Sequence, residues 1–330
     1  MKSAYRWSAI NAKDVVPWAE LVNHLAVVDG TDEFYNAEDL LDELNAPRMD
    51  TLRDTFAVWD DDSMIAFGTV RVPSHPDHHG GKVDVGLDGG VHSHHRGKGL
   101  GTRLMQKLEA RGRELSAERH PGVPFYLSTG GGLEDSSARR FHLSRGYSVA
   151  RYFNLLSRDL GAQDSAETIL GGRNVPPGLS IRAPQDADES AVMAAHTAAF
   201  VDHWGSAPPA ADQWHQNWIA GSNRPEVSRI AVDEAGVIAP QGTVLAYSLC
   251  GQWVTRELYV NLVGTVPEAR GKGLGSAVLA HTIEAAARSG EFDVIELDVD
   301  SESLTGATRL YERLGFTLKL TQAAMRRSAD

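Results

Sequence analysis

The chain has 330 residues, 42% hydrophobic and 23% charged, with a formal net charge of −12. These values fit a folded globular protein and exclude a disordered one, and the acidic balance repels nucleic acid and anionic lipid, so neither is an expected partner. No run approaches the ~18 apolar residues of a membrane span, no apolar leader is visible, and Cys250 is the sole cysteine. An internal disulfide is thereby ruled out and a reducing, cytoplasmic setting is expected.

In chain order, a strand is predicted at YRWSAI, helices in AKDVVPWAELVNHLAVVD and AEDLLDELN, and strands at TFAVWD, MIAFGTVRV and KVDVGLDGGV. GLGTRLMQKLEARGREL reads as a helix because Leu100, Leu104 and Leu108 recur at i+4 on one face. PFYLSTG as strand, SSARRFHLSRG as helix and YSVARYFNLLSRDL as closing strand complete a β-α-α-β-β-β-α-β-α-β order. The second half repeats it through LSIRAP, DADESAVMAAHTAAF, ADQWHQNWIAG, VSRIAVD, TVLAYSLCG, ELYVNLVGT, GLGSAVLAHTIEAAARSG, DVIELDVD, LTGATRLYERLG and FTLKL. The expected fold class is therefore α/β with a mixed sheet, in two tandem domains at 1–161 and 178–330. The Gly- and Pro-rich stretch 162–177 reads as the linker.

The same six letters, RGKGLG, open the main helix of each half at Arg96 to Gly101 and at Arg270 to Gly275. A glycine-rich turn from an apolar strand into a helix presents unpaired backbone N–H groups at the positive end of the helix dipole, which is an anion site. Arg96 and Lys98, or Arg270 and Lys272, add charge; the alternative is a tight turn with no ligand. The spacing excludes a P-loop, because Gly99 and Gly273 follow the lysines, and a dinucleotide fingerprint, because Thr102 and Ser276 stand where its last glycine belongs.

The remaining pattern, R-x-x-G-x-G at a helix start, resembles the acyl-CoA pyrophosphate motif of the GNAT superfamily of N-acetyltransferases. LVGTVPEARGKGLGSAVLAH and LDVDSESLTGATRLYERLGF resemble both ends of that family's cofactor module, and AFVDHWGSAPPAADQW resembles the acceptor-side helices of tandem actinobacterial members. The resemblance implies acetyl-CoA as acyl donor, with no metal. Val263, Gly264 and Thr265 would pair with the pantetheine arm, and Arg270, Gly271, Lys272, Gly273, Leu274, Gly275 and Ser276 would hold the pyrophosphate. The matching first-half positions are Gly89, Gly90 and Val91, then Arg96, Gly97, Lys98, Gly99, Leu100, Gly101 and Thr102. Where the family often has Asn after the fifth strand, this chain has Ser303 and, in the first half, Glu134.

Acetyl transfer to an amine calls for a base and for an acid to protonate the departing thiolate. By the resemblance Tyr311 is that acid; its counterpart in the first half is His142, so the first domain is expected to be degenerate in catalysis. Strand alternation puts Glu257, Tyr259 and Asn261 on one face; Glu257 is either the base or a solvated strand-end glutamate. His203, Trp204 and Tyr259 are candidates for the acceptor pocket, whereas Trp214 and Trp218, at i+4, read as helix core. The histidines between His75 and His95 match no metal-ligand spacing. The expected activity is an acetyl-CoA-dependent N-acetyltransferase acting on a small-molecule primary amine in the second domain. A second enzyme reading is mycothiol synthase-like, although those enzymes carry Glu where this chain has Tyr259; the competing class is a noncatalytic acyl-CoA sensor. Oligomeric state is not legible.

Overall fold

The computed structural model describes residues 5–78, 80–172, 175–302 and 307–328. They form two compact units, Met1–Phe153 with Leu320–Asp330, and Asn154–Lys319. Unit 1 runs β1 (Arg6–Ser8), α1 (Val15–Asp29), α2 (Ala37–Leu44), α3 (Thr51–Asp54), β2 (Thr55–Asp60), β3 (Ser63–Arg71), β4 (Val83–Val91), α4 (Leu100–Arg119), β5 (Phe125–Gly132), α5 (Ser137–Ser144) and the start of β6 (Ser148–Asp159). Unit 2 takes the rest of β6 and continues with α6 (Ala166–Leu170), β7 (Leu179–Arg182), α7 (Glu189–Ala199), α8 (Ala211–Trp218), β8 (Arg229–Asp233), β9 (Thr243–Gly251), β10 (Glu257–Thr265), α9 (Leu274–Ser289), β11 (Val294–Asp300), α10 (Ala307–Arg313) and β12 (Thr317–Ser328). Among the described residues, no helix is long and apolar enough to cross a membrane.

In unit 1, β1, β2, β3 and β4 pair antiparallel, β4 and β5 pair parallel, and β5 pairs antiparallel with β12. The crossover helix α4 covers one face: Leu100, Leu104 and Leu108, the i+4 stripe, are buried with Val85, Leu87 and Leu127. Unit 2 repeats the plan, with β7, β8, β9 and β10 antiparallel and β10 parallel to β11. There α9 buries Leu279 and Ile283 against Leu258, Ile295 and Leu297.

Two features depart from the sequence expectation. The expected linker 162–177 contains α6, whose Ala166 is buried and whose Ile169 packs on the core of unit 2. The last strand is also longer than the expected FTLKL, and each closing strand serves the other half of the sequence: β6 passes into unit 2 at Asn154, and β12 passes into unit 1 at Leu320. The reason is burial and charge. Ala323 and Met325 complete the core of unit 1, Met325 filling the space that a Cβ on Gly131 would take, and Arg326 and Arg327 pair with Asp84 and Glu109 at 3.3 and 2.9 Å.

Candidate active site

Both RGKGLG segments have one backbone shape. Gly97 and Gly99 have φ of 73° and 79°, and Gly271 and Gly273 have 74° and 80°. These are left-handed values that L side chains avoid, so a Cβ would be strained even though the space around it is open. Leu100 and Leu274, buried as the first residues of α4 and α9, anchor the turns. Gly97, Lys98 and Gly99, like Gly271, Lys272 and Gly273, are exposed above them. The first-turn N–H groups that follow, from Gly101 and Thr102 or from Gly275 and Ser276, have no partner within an α-helix and add the dipole's positive end. Gly275 is constrained differently: its Cβ would lie 3.0 Å from Thr265 Oγ1, because the end of β10 passes close over the start of α9.

The motif arginines have other partners. Arg96 donates to both carboxylate oxygens of Asp29 at 2.7 and 2.6 Å and to the Val91 carbonyl at 3.0 Å. Arg270 bonds Asp202 at 3.1 Å and the Ala199 carbonyl at 2.9 Å. Asp29 and Ala199 are the last residues of α1 and α7, so each guanidinium ties a helix C-terminus, where a cation is favoured, to its loop. Lys98 donates to the His94 carbonyl at 2.9 Å. In both units the polar groups that the turn leaves exposed are chiefly backbone.

Beyond each loop the parallel strands part. The β10–β11 register ends at Tyr259↔Glu296, although β10 continues to Thr265 and β11 to Asp300. The β4–β5 register likewise ends at Gly86↔Ser128. Val263, Gly264 and Thr265 lie on the splayed part of β10, and Gly89, Gly90 and Val91 on that of β4. Their glycines also answer to packing: a Cβ on Gly264 would collide with the Tyr247 hydroxyl, one on Gly90 with Leu25, and one on Gly89 would lie 2.7 Å from the Phe67 carbonyl.

A bulge separates the two units at this point. Between Val260 and Leu262 the β10–β9 register shifts, so Asn261 is an extra residue, whereas β4 pairs with β3 without a shift. The expected alternation through Asn261 therefore fails: Val260 and Val263, three apart, pack in the same core. Upstream of the bulge, Leu258 and Val85 become equivalent, each wholly buried beneath its helix and paired with a buried Ile295 or Leu127. The counterpart of Tyr259 is thus Gly86, although counting back equally from Arg96 and Arg270 would give Val85, and that of Glu257 is Asp84.

Tyr311 is buried on α10, edge-on to Phe316 at 6.1 Å, and its neighbour Leu310 lies 3.8 Å from the Cβ position of Gly275, which sets α10 beside the start of α9. Burial pushes its hydroxyl up to about 12. His142 on α5 is pushed down to about 4 by burial and then by Arg145, so it is neutral at physiological pH and has no imidazolium proton to give. Ser303 lies outside the described residues; Glu134 is exposed after β5.

On the acceptor side, His203 and Trp204 occupy the turn after α7, with His203 Nδ1 3.0 Å from the Trp204 carbonyl oxygen. Sequence reasoning missed His196, whose Nδ1 lies 2.8 Å from the Tyr247 hydroxyl and whose ring packs against Phe200 at 4.4 Å, tilted by 32°. Burial pushes it down to about 4, so this neutral contact docks α7 on the sheet. Trp214 is core, as its spacing implied. Glu257 opens β10 on a rung still paired with Val294. Tyr259 donates to Asp298 Oδ2 at 2.7 Å, and Asp298 was not anticipated. The signal was present in VIELDVD, where acids at Glu296, Asp298 and Asp300 alternate on one strand face. In unit 1, His92 stacks on His24 at 4.1 Å with His94 and His95 edge-on to it.

A mixed sheet with parallel strands splayed beneath a glycine-cradled helix start, present twice, defines an acyltransferase of the tandem kind. The acetyltransferase (GNAT) family model matches residues 19–128 and again 190–316, and the chain belongs to that family. It is 28% identical over 322 residues to the mycothiol acetyltransferase of Salinispora tropica, covering 94% of this chain and 92% of that one. To the mycothiol acetyltransferase of Salinispora arenicola it is 30% identical, over 70% of this chain and 69% of the relative. Among solved structures, a GCN5-related N-acetyltransferase from Sphaerobacter thermophilus matches with a TM-score of 0.73 at 23% identity, over 98% of this chain and 95% of that one. A tandem GNAT protein from the clavulanic acid biosynthesis pathway matches at 0.72 and 15%, over 99% of both.

Proposed function

We propose that unit 2 transfers the acetyl group of acetyl-CoA to the primary amine of a small molecule, and that unit 1 binds the cofactor without turning it over. The observation that carries this reading is the coincidence, in unit 2, of an open left-handed glycine turn, a strand splay leading away from it, and a buried phenol, Tyr311, in the same core as Val260 and Val263 of β10. The loop N–H groups of Gly271, Gly273 and Gly275 take the pyrophosphate, and Val263 to Thr265 offer backbone groups to the pantetheine arm. Acetyl-CoA supplies the thioester. Tyr311, holding its proton tightly, donates a hydrogen bond to the sulfur as charge develops there, and His203 and Trp204 line the acceptor side.

A mycothiol-related amine is the second reading of the acceptor, favoured by similarity along 94% of the chain to a mycothiol acetyltransferase. The test is loss of acetyl-CoA, followed by chromatography, with butylamine, glucosamine, cysteine amide and mycothiol lacking its acetyl group. Tyr311→Phe should keep acetyl-CoA affinity and lose ~10²-fold in kcat. Equal turnover of variant and parent would remove Tyr311 from the chemistry, and binding without any amine-dependent turnover would make the protein a sensor.

A further inference from the structure

The Tyr259–Asp298 pair stands where β10 and β11 separate. Tyr259↔Glu296 is the last paired rung, so Asp298, two residues further along β11 on the same face, is the first side chain of that face beyond it. The phenol hydroxyl reaches the carboxylate at 2.7 Å, and Trp253 packs edge-on to Tyr259 at 5.8 Å. Asp298 is exposed to solvent. Glu257, one of the expected bases, sits two residues earlier, where the strands are still joined.

Unit 1 is an internal control. With the bulge allowed for, the equivalents of Tyr259 and Asp298 are Gly86 and Gly130, and a Cβ built on Gly130 meets nothing within 4 Å. The same strands therefore form without the pair, so it is not required for folding the splay. It is present in the unit that has Tyr311 and absent from the unit that has His142.

We propose, resting on the transferase reading above, that Asp298 takes the proton from the acceptor amine and that Tyr259 holds its carboxylate in position. The bound ammonium loses one proton to Asp298, which passes it to water. Its nitrogen then forms the C–N bond as the C–S bond breaks with the electron pair remaining on sulfur. The second proton shed by nitrogen balances the one gained at the sulfur beside Tyr311, leaving amide, CoA thiol and one released proton. Desolvation raises the Asp298 carboxyl above its usual range and the Tyr259 hydrogen bond pulls it back, which makes it a stronger base than a solvated carboxylate. The other charged groups on this strand face are Glu257, Glu296, which Lys319 holds at 2.9 Å, and Asp300, which accepts from the Glu302 N–H at 2.9 Å, while His196 of α7 is half-buried against Tyr247.

The experiment is the pH profile of kcat/KM for the parent, Asp298→Asn, Asp298→Glu and Tyr259→Phe on the best amine of the panel, with acetyl-CoA affinity measured alongside to confirm folding. A protonated Asp298 is inactive, so the parent rate should rise with pH through an acid limb. Asp298→Asn should lose ~10²-fold and the limb, Asp298→Glu should recover part of both, and Tyr259→Phe should move the limb to higher pH because a contact that lowers the carboxyl is gone. An active parent whose Asp298→Asn variant keeps rate and limb overturns this assignment alone. A parent that binds acetyl-CoA but consumes none with any amine overturns the transferase reading and this assignment together.

Discussion

The two units hold the same glycine turn and different side chains along their splayed strands. Their glycine turns agree within one degree at each position, 73° and 79° against 74° and 80°, and even the arginine tether to the preceding helix is reproduced. The other end of the splay shares almost nothing: Tyr311 corresponds to His142, Tyr259 to Gly86 and Asp298 to Gly130, and of β4 and β10 only β10 carries the bulge. The difference follows from what each end is made of. A site built of backbone N–H groups and glycine conformations persists as long as the fold does, whereas a site built of side chains is lost one substitution at a time.

The comparison is broken most directly at the loops. Gly99→Val and Gly273→Val impose the same left-handed strain at equivalent exposed positions, so any difference in outcome reads function rather than folding. Strain of about 1–2 kcal/mol and the loss of one or two charge-assisted contacts should lower turnover by ~10³-fold for Gly273→Val. For Gly99→Val turnover should stay within about 2-fold, the range of an exposed substitution. Calorimetric stoichiometry should fall by one acetyl-CoA in each. Equal loss of turnover in both variants would place catalysis in both units, and unchanged affinity in folded Gly273→Val would remove the loop from the cofactor site.

The second test concerns which residues complete each unit. Met325, near the end of the sequence, is wholly buried in the core of unit 1. Met325→Ala should destabilise that unit by about 2–4 kcal/mol, within the range for a large core truncation. Hydrogen exchange should speed up in β4, β5 and α4 while the amides of α9 stay protected. Faster exchange confined to α9 and β11 would mean that the C-terminal strand belongs to the second unit.

The element order, the i+4 stripe of α4, the buried role of Trp214 and the GNAT family were legible because each rests on local periodicity or on a contiguous motif. The strand exchange was not, since nothing local distinguishes a strand that closes its own domain from one that closes the other. The bulge at Asn261 was hidden for a related reason: one extra residue leaves the motif alignment intact downstream and shifts every face upstream, which made Val85 look like the partner of Tyr259. Asp298 is not legible as the partner of Tyr259 because no motif marks it, although its alternation with Glu296 and Asp300 is visible in VIELDVD. The carboxylate partners of the motif arginines, Asp29 on α1 and Asp202 before α8, lie far away in sequence, so the motif by itself shows only charge beside the turn.

That last point gives the smallest and most discriminating test. If the motif arginine acts as a helix tether, its loss should weaken the loop only through placement, and a half-buried surface ion pair of this kind contributes on the order of 1 kcal/mol. Arg96→Gln and Arg270→Gln should therefore each lower acetyl-CoA affinity at their own site by no more than about 5-fold. A cation that meets the phosphates would also contribute to the salt dependence of binding, because exposed charges are screened as ionic strength rises. Lys272, exposed at the crest of the second turn, should show that signature: Lys272→Gln should flatten the fall of affinity with salt. Arg270, turned toward Asp202 and the Ala199 carbonyl, should not. A flattened salt dependence in Arg270→Gln, equal to or larger than that of Lys272→Gln, would show that the guanidinium leaves its helix partners when the cofactor binds and that the tether is a resting position only.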